Sequence, residues 1–522
     1  MNNKPKQQYN LKVSQANLTF SPSIKVTTPT YVNGIPNYLG CFTKGFQHLV
    51  SPSGAFYVNG TNYQNFLNQI RNQNFNGISS SVLNVAPCLV DPFNLTDLEL
   101  NGKYAGNYHL TPGALSITHT SSAAEMVELY EMALMRDVPF ANWSSSPTAA
   151  AAASNLSTLG TSFLGPKENN QVTINSLFRG STVGDRTGPY ASQFLYHPVT
   201  MGSKTMPQTY GYVAANTQYL TTVTGYVNVW NGNLPPSNDV IIGERYLSNL
   251  SDCGIYIHKD QPWQPFFVAH CLLQGWRVPY SFKTGTNVNL RKNTFVSLGP
   301  IDITDLMTRA YKLAMNATWL YKFIQEKLRP EEYGYQVNLC RVGQSMLPSS
   351  QKIPLTLLNN TAVNQVFAKN GTYLLPQLYP EGSPCHPAFP SGHATIAGAA
   401  VTILKAFYNT TYTFGANGVP TPVQPSVDGS SLTGYSGAVL TIGGELDKLA
   451  TNCAIFRNAA GIHYRSDAQG GLLLGEAVAV NLLHEFVDRY TSFVEFKVPL
   501  RNGTTVTINN ASTCATCHRQ HQ

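Results

Sequence analysis

The chain has 522 residues, of which 43% are hydrophobic and 11% aromatic, enough to bury a large core and to exclude a disordered or collagen-like polymer. Only 12% are Asp, Glu, Lys or Arg, about half the ~25% usual for soluble proteins, so a charge placed deep inside needs a physical reason. The net charge of +7 comes from scattered Lys and Arg with no basic run, which argues against nucleic acid; no stretch approaches the ~18 uninterrupted apolar residues of a membrane span, and the first ten residues hold no apolar signal core.

Residues 1–110 mix Asn, Pro, Gly and Thr with little periodicity and read as an extended wrapping or oligomer-forming segment. Residues 111–495 read as a helical-bundle domain and 496–522 as a C-terminal tail. The first strong helix is expected over 121–136, where Ser122 and Glu125 have capping-box spacing and Met126, Leu129, Tyr130, Ala133 and Leu134 recur at helical intervals. Residues 149–153 extend a further helix, 188–197 read as partly buried, and 205–236 as loop with room for a short hairpin. A second long helix is expected from Asp302, Thr304 and Asp305 up to Pro330, because Leu306, Ala310, Leu313, Ala317, Leu320, Ile324 and Leu328 step by threes and fours. A third begins near Ser391 and runs to about Tyr408; 411–435 is a long loop of the kind that forms lids or interfaces, and 448–489 is helical with a break near Gly461. Strand signals are few and short, so the expected fold class is mainly α: helical bundles, as two four-helix-bundle-like cores, with long loops.

Nine cysteines are too sparse, and odd in number, for a disulfide scaffold. Cys514-Ala-Thr-Cys517-His518 has the spacing of a c-type haem attachment, yet no domain surrounds it to enclose a haem; it reads as an inert tail, with a local disulfide or weak metal site as the other readings. The sequons at Asn17, Asn94, Asn316 and Asn409 are of the kind an Asn-, Ser- and Thr-rich chain generates by chance.

Three separated stretches carry chemistry. On one continuous helix Lys322 and Arg329 would share a face about 10 Å apart along the axis, with Trp319 on nearly the same side. Taken alone this is an ordinary amphipathic surface. Pro390-Ser391-Gly392-His393 opens a helix, placing a hydroxyl, an approachable amide and an imidazole at its positive end, and His386 lies five residues upstream. Arg457 and His463 would lie on different faces of an unbroken helix; a break at Gly461 lets both point inward, and Asp467 can then hold the far nitrogen of His463. Three cations, an anion-binding helix start and two ordered histidines in so uncharged a chain call for a multiply charged oxyanion.

These residues, Lys322-x6-Arg329-Pro330, Pro390-Ser391-Gly392-His393 and Arg457-x5-His463-x3-Asp467, resemble the three-part pattern of the vanadium-dependent haloperoxidases and the related type-2 phosphatidic acid phosphatase superfamily. Phe456 stands where that superfamily often has Ser, as in the algal bromoperoxidase branch; Glu125 to Tyr130, Arg136 to Phe140, Ser192-Gln193-Phe194 and Ala454 to Arg457 also resemble red-algal-type bromoperoxidases. The resemblance runs from about residue 121 to 489. It implies a vanadate cofactor, with His463 as axial ligand of vanadium(V) and Lys322, Arg329, Arg457, the Ser391 hydroxyl and the Gly392 amide on its oxygens. His393 becomes the acid–base group and Lys322 a polarising one. Hydrogen peroxide would oxidise bromide, and more easily iodide, to hypohalous acid that halogenates small organic acceptors. His386 stands where bromoperoxidases carry a second histidine, Trp319 would flank the halide region, and Asp137 would support an arginine. A homo-oligomer, from dimer to dodecamer, is implied.

Two other readings use the same residues. An acid phosphatase would have His463 as nucleophile and His393 as acid, since phosphate and vanadate are near-isosteric. A helical shell protein would keep the anion site only as a structural staple.

Overall fold

The structure, a computed structural model, describes residues 31–32, 35–36, 44, 60–71 and 115–511 except 234, 236–238, 286–293, 346 and 348–351. Cys514, Cys517, His518, Asn17 and Asn94 lie outside these, as does most of 1–110. The helices of eight residues or more among the described residues are α1 (Gly60–Arg71), α2 (Thr120–Met135), α3 (Pro147–Thr158), α4 (Val223–Trp230), α5 (Gln264–Gly275), α6 (Pro300–Gln325), α7 (Pro330–Arg341), α8 (Thr361–Asn370), α9 (Gly392–Phe407), α10 (Ile442–Ala459) and α11 (Arg465–Val487). Strands among the described residues have six residues at most, so the fold is mainly α as the periodicities imply. The largest sheet is antiparallel and three-stranded, with Val494–Pro499 between Thr505–Asn509 and Lys283–Thr284.

Helix α9 is the centre of one group. Its alanine-rich sequence is buried from Ala394 to Phe407, and it packs against α6, α10 and α11. The apolar composition of α11 is that of a core helix: 72% of its most apolar 18-residue window is buried. Contact between α9 and α11 is close enough to require glycine, because a Cβ on Gly475 would stand 1.9 Å from the Thr395 carbonyl oxygen. Gly475→Ala is expected to destabilise the protein by about 1–3 kcal/mol, read as a lower melting temperature; an unchanged one would show that the helices separate without cost. The same packing brings the Ser391 amide to the Asp467 carbonyl at 3.0 Å and so joins the starts of both helices. A second group centres on α2, which packs on α3, α7 and α8 and reaches α10; the buried residues of both groups form one continuous apolar cluster.

Several local expectations are overturned by tertiary contacts. The cap of α2 is His119, whose Nδ1 accepts from the Ser121 amide, whereas Ser122 and Glu125 are buried inside the helix, where Glu125 accepts from the Ser466 amide at 2.6 Å. α6 begins at Pro300, which needs no amide partner at the first helical position; Asp302 accepts instead from the Leu298 amide and the Tyr490 hydroxyl. α6 does not continue to Pro330: it ends at Gln325, Glu326 is left-handed (φ 48°), and Arg329 is extended as the residue before a proline must be. Lys322 and Arg329 are therefore brought together by a turn, not by one helix face. Within the stretch read as loop, Thr222 caps α4, a helix of weak formers stabilised by burying Tyr226, Val229 and Trp230. The loop over 411–435 contains the short hairpin Val423–Pro425 with Leu432–Gly434. The interruption at Gly461 is present: its φ of +87° separates α10 from α11 and turns the chain between Arg457 and His463.

Candidate active site

The last turn of α6, the start of α7, the loop before α9 and the break between α10 and α11 converge on one buried place. Lys322 and Arg329 are both 0% exposed, and Arg457 is 6% exposed. The Lys322 ammonium donates to the carbonyls of Pro387 and Ala388 at 2.7 and 3.1 Å. Arg329 donates through Nε to the His386 carbonyl, and through its terminal nitrogens to the Ile462 carbonyl, His463 Nε2 and His386 Nδ1, all within 2.8–3.0 Å. Arg457 donates to the Ile257 carbonyl at 2.9 Å, while its buried Nε has no partner among the described residues. Neither Arg329 nor Arg457 forms an ion pair among the described residues. Burial, against the attraction of Asp467 and with repulsion from Arg457, lowers the Arg329 guanidinium to about 10.

The tautomer of His463 follows from its neighbours. Arginine can only donate, so Nε2 must accept from Arg329, and Nδ1 carries the proton that goes to Asp467 Oδ2 at 2.9 Å. Burial first, then Arg329, Lys322 and Arg457, hold this imidazole well below its usual range and keep it neutral, with its Nε2 lone pair facing the cations. Asp467 is itself held: Oδ2 accepts from the Tyr464 amide and Oδ1 from Lys327 at 3.1 Å. Lys327 is buried, pairs also with Glu125 at 3.5 Å and stands 4.0 Å over the Tyr464 ring.

Ser391 is the N-cap of α9 and is fully buried; its hydroxyl accepts from the Ala394 amide at the long distance of 3.5 Å. No protein packing demands glycine at 392, where a Cβ would meet Met315 Sδ at an ordinary 3.5 Å; what glycine leaves open is approach to the amide. His393 Nε2 donates to Asp260 Oδ1 at 2.9 Å, and burial and Arg457 lower its imidazole although Asp260 opposes them. His386 lies 4.7 Å from the Trp319 ring, tilted by 52°, and is kept well below its usual range by burial, Lys322 and Arg329. Asp137 is not brought to this place: its carboxylate accepts from the Asn216 amide at 2.7 Å, and neighbouring Arg136 donates to the carbonyls of Ala459 and Pro376.

Sequence reading missed Asp260, Lys327 and the Glu125 contact. Asp260 sits in a plain Lys-Asp-Gln-Pro stretch with no local signal, and only the fold brings it to His393. Lys327, two residues before Arg329, could have been flagged by the rarity of charge in this chain.

The family model described as the VCPO second helical-bundle domain matches residues 363–492, the part that contains His386, Ser391, His393, Arg457 and His463. A vanadium-dependent bromoperoxidase of Ascophyllum nodosum is 31% identical over 434 residues, covering 80% of this chain and 76% of that protein. One of Corallina officinalis is 27% identical over 92% of each chain. In three dimensions the chain resembles the homohexameric structure of the second vanadate-dependent bromoperoxidase of Ascophyllum nodosum, with a TM-score of 0.81 at 24% identity over 97% of this chain and 90% of that one. The identity spread over three quarters of the first of these relatives, on a matching helical fold, shows that the chain belongs to the vanadium-dependent bromoperoxidases.

Proposed function

We propose that this protein is a vanadate-dependent bromide peroxidase, using hydrogen peroxide to oxidise bromide and iodide to hypohalous acid, which halogenates small organic acceptors. The observation that supports it most directly is the convergence of buried Lys322, Arg329 and Arg457 around a neutral His463 whose Nε2 accepts from Arg329. Such a site fits a tetrahedral oxyanion: among the described residues neither arginine forms an ion pair with a carboxylate and the buried Arg457 Nε meets no acceptor, while Gly392 leaves its amide approachable. In this reading His463 would hold the vanadium through Nε2, in place of the bond that nitrogen accepts from Arg329, and Lys322, Arg329, Arg457, the Ser391 hydroxyl and the Gly392 amide would hold its oxygens. The chemistry vanadate would supply when bound there is that of a Lewis acid towards peroxide, with no change of oxidation state.

The chain's own residues position and move protons around that centre. Asp467 holds the Nδ1–H of His463 and so keeps the opposite lone pair aimed inward. Asp260 fixes the proton on His393 Nε2, leaving Nδ1 to take a proton from hydrogen peroxide and to return it to the hypohalite oxygen. Neutral His386, held by Arg329 and beside Trp319, forms the wall at which bromide is received. The chain works as a homo-oligomer, in keeping with the homohexameric relative.

Asp260→Asn tests the role of His393. Without the carboxylate, nothing opposes burial and Arg457, so the imidazole titrates lower still, and since the neutral ring is the proton acceptor the acid limb of kcat/KM moves to lower pH. The plateau is expected to fall roughly 10- to 100-fold; an acid limb at the wild-type position would assign that titration to another group. For the reaction itself, vanadate-loaded protein is given peroxide, bromide and monochlorodimedone. Bromination that disappears on removing vanadate is expected, whereas hydrolysis of p-nitrophenyl phosphate with no bromide oxidation would establish the phosphatase.

A further inference from the structure

Two side chains from the N-terminal part of the chain reach the neighbourhood of Arg329, and the oxyanion chemistry leaves them without a role. Lys44 is 0% exposed, and its ammonium donates to Glu331 Oε1 at 2.6 Å and to the carbonyls of Glu381 and Ser383 at 3.0 and 2.6 Å. Three acceptors match its three donors. Tyr63, on α1, is also fully buried and donates its hydroxyl to Glu326 Oε2 at 2.9 Å. Glu326 is the left-handed residue that ends α6, and Glu331 lies in the first turn of α7, so the two contacts flank Arg329 on both sides. Glu331 does more: its second oxygen accepts from the Ser383 amide at 2.8 Å, which ties the start of α7 to the loop leading into His386. The approach there is close, since a Cβ on Gly382 would stand 2.2 Å from Glu331 Oε2.

Arg329 has reason to need this support. It is a fully buried cation near a second one, Arg457, and its bonds to the His386 carbonyl and ring hold only while the α7 start and the His386 loop keep their spacing. An anion site works to the extent that its donors are in place before the anion arrives.

We propose that Lys44 and Tyr63 are positioning residues of the oxyanion site: from the N-terminal segment they clamp the connector on either side of Arg329, and through Glu331 and Ser383 they hold it against the His386 loop. The inference rests on the reading of Arg329 as an oxyanion ligand. Removing the Lys44 ammonium leaves Glu331, 2% exposed, as a buried carboxylate with its cation gone; it must take a proton or turn towards water, and either change loosens its hold on Ser383. The carbonyls of Glu381 and Ser383 lose their donor at the same time.

The test is a calorimetric titration of the full-length, vanadate-free protein with inorganic phosphate, for wild type, Lys44→Met, Tyr63→Phe, Arg329→Gln and each clamp variant combined with Arg329→Gln. Lys44→Met is expected to weaken phosphate binding about 10-fold or more, the scale for loss of a supporting contact behind a ligand, and Tyr63→Phe to weaken it less. In the Arg329→Gln background neither is expected to weaken it further, because the donor they position is gone; a role confined to stability would subtract equally in both backgrounds. Wild-type affinity in Lys44→Met, or full additivity with Arg329→Gln, overturns the proposal. If Lys44→Met does not fold, Tyr63→Phe, which deletes one oxygen, decides by the same cycle. Undiminished phosphate affinity in Arg329→Gln would overturn the oxyanion reading itself and this inference with it, an outcome distinct from failure of the clamp alone.

Discussion

His463→Ala is expected to abolish bromide oxidation and tight vanadate uptake while leaving the protein folded. Removing the imidazole takes away the nitrogen proposed to bond the metal, so the loss must exceed the roughly 10- to 100-fold that follows from losing only a hydrogen bond behind a ligand. The fold should tolerate it, because Asp467 keeps the Tyr464 amide and Lys327 as partners when His463 is gone. Phosphate forms no bond to nitrogen in simple binding, so its affinity, proposed to depend on Lys322, Arg329, Arg457 and the start of α9, should change much less than that of vanadate. Equilibrium dialysis with each anion separates the two. Vanadate held by His463→Ala as tightly as by wild type would remove His463 from the metal.

Asp467→Ala should have the largest effect on stability. Asp467 is 0% exposed and serves three groups at once: the Nδ1–H of His463, the Tyr464 amide at the start of α11, and the Lys327 ammonium. Without it Lys327, also buried, is left with Glu125 at 3.5 Å and the Ser466 hydroxyl. Breaking a buried pair by deleting one partner costs about 3–5 kcal/mol, because the remaining charge is stranded. Unfolding in denaturant is expected to shift by that amount, and vanadate affinity to fall together with it because the His463 tautomer is no longer set. Asp467→Asn, which keeps the shape, should recover part of the stability and little of the affinity. Wild-type denaturant stability in Asp467→Ala would show that Lys327 finds another counter-charge.

The sequence by itself determined the helical class and pointed to the three stretches proposed to line the pocket, for a physical reason. Helices with apolar spacing announce themselves locally, and glycine at 461 marks a break because few other residues adopt its φ of +87°. Lys322, Arg329 and Arg457 stand out among the cations only through the three-part pattern they form with Ser391-Gly392-His393 and His463, and the scarcity of charge then makes their joint burial informative. Tertiary structure decided how those groups meet. Local periodicity runs α6 through to Pro330, yet the chain turns at Glu326, and that turn, rather than a shared helix face, delivers Arg329 to the His386 that Lys322 also neighbours. Local spacing likewise offers Ser122 and Glu125 as a cap, but Glu125 gains more from Lys327 and the Ser466 amide, and His119 caps the helix instead. Asp260, Lys44 and Tyr63 carry no sequence pattern at all, because their contacts span 133 to 339 positions along the chain. Spacing encodes neighbours within a helix turn; ion pairs across the core depend on where whole helices pack, and only the folded chain specifies that.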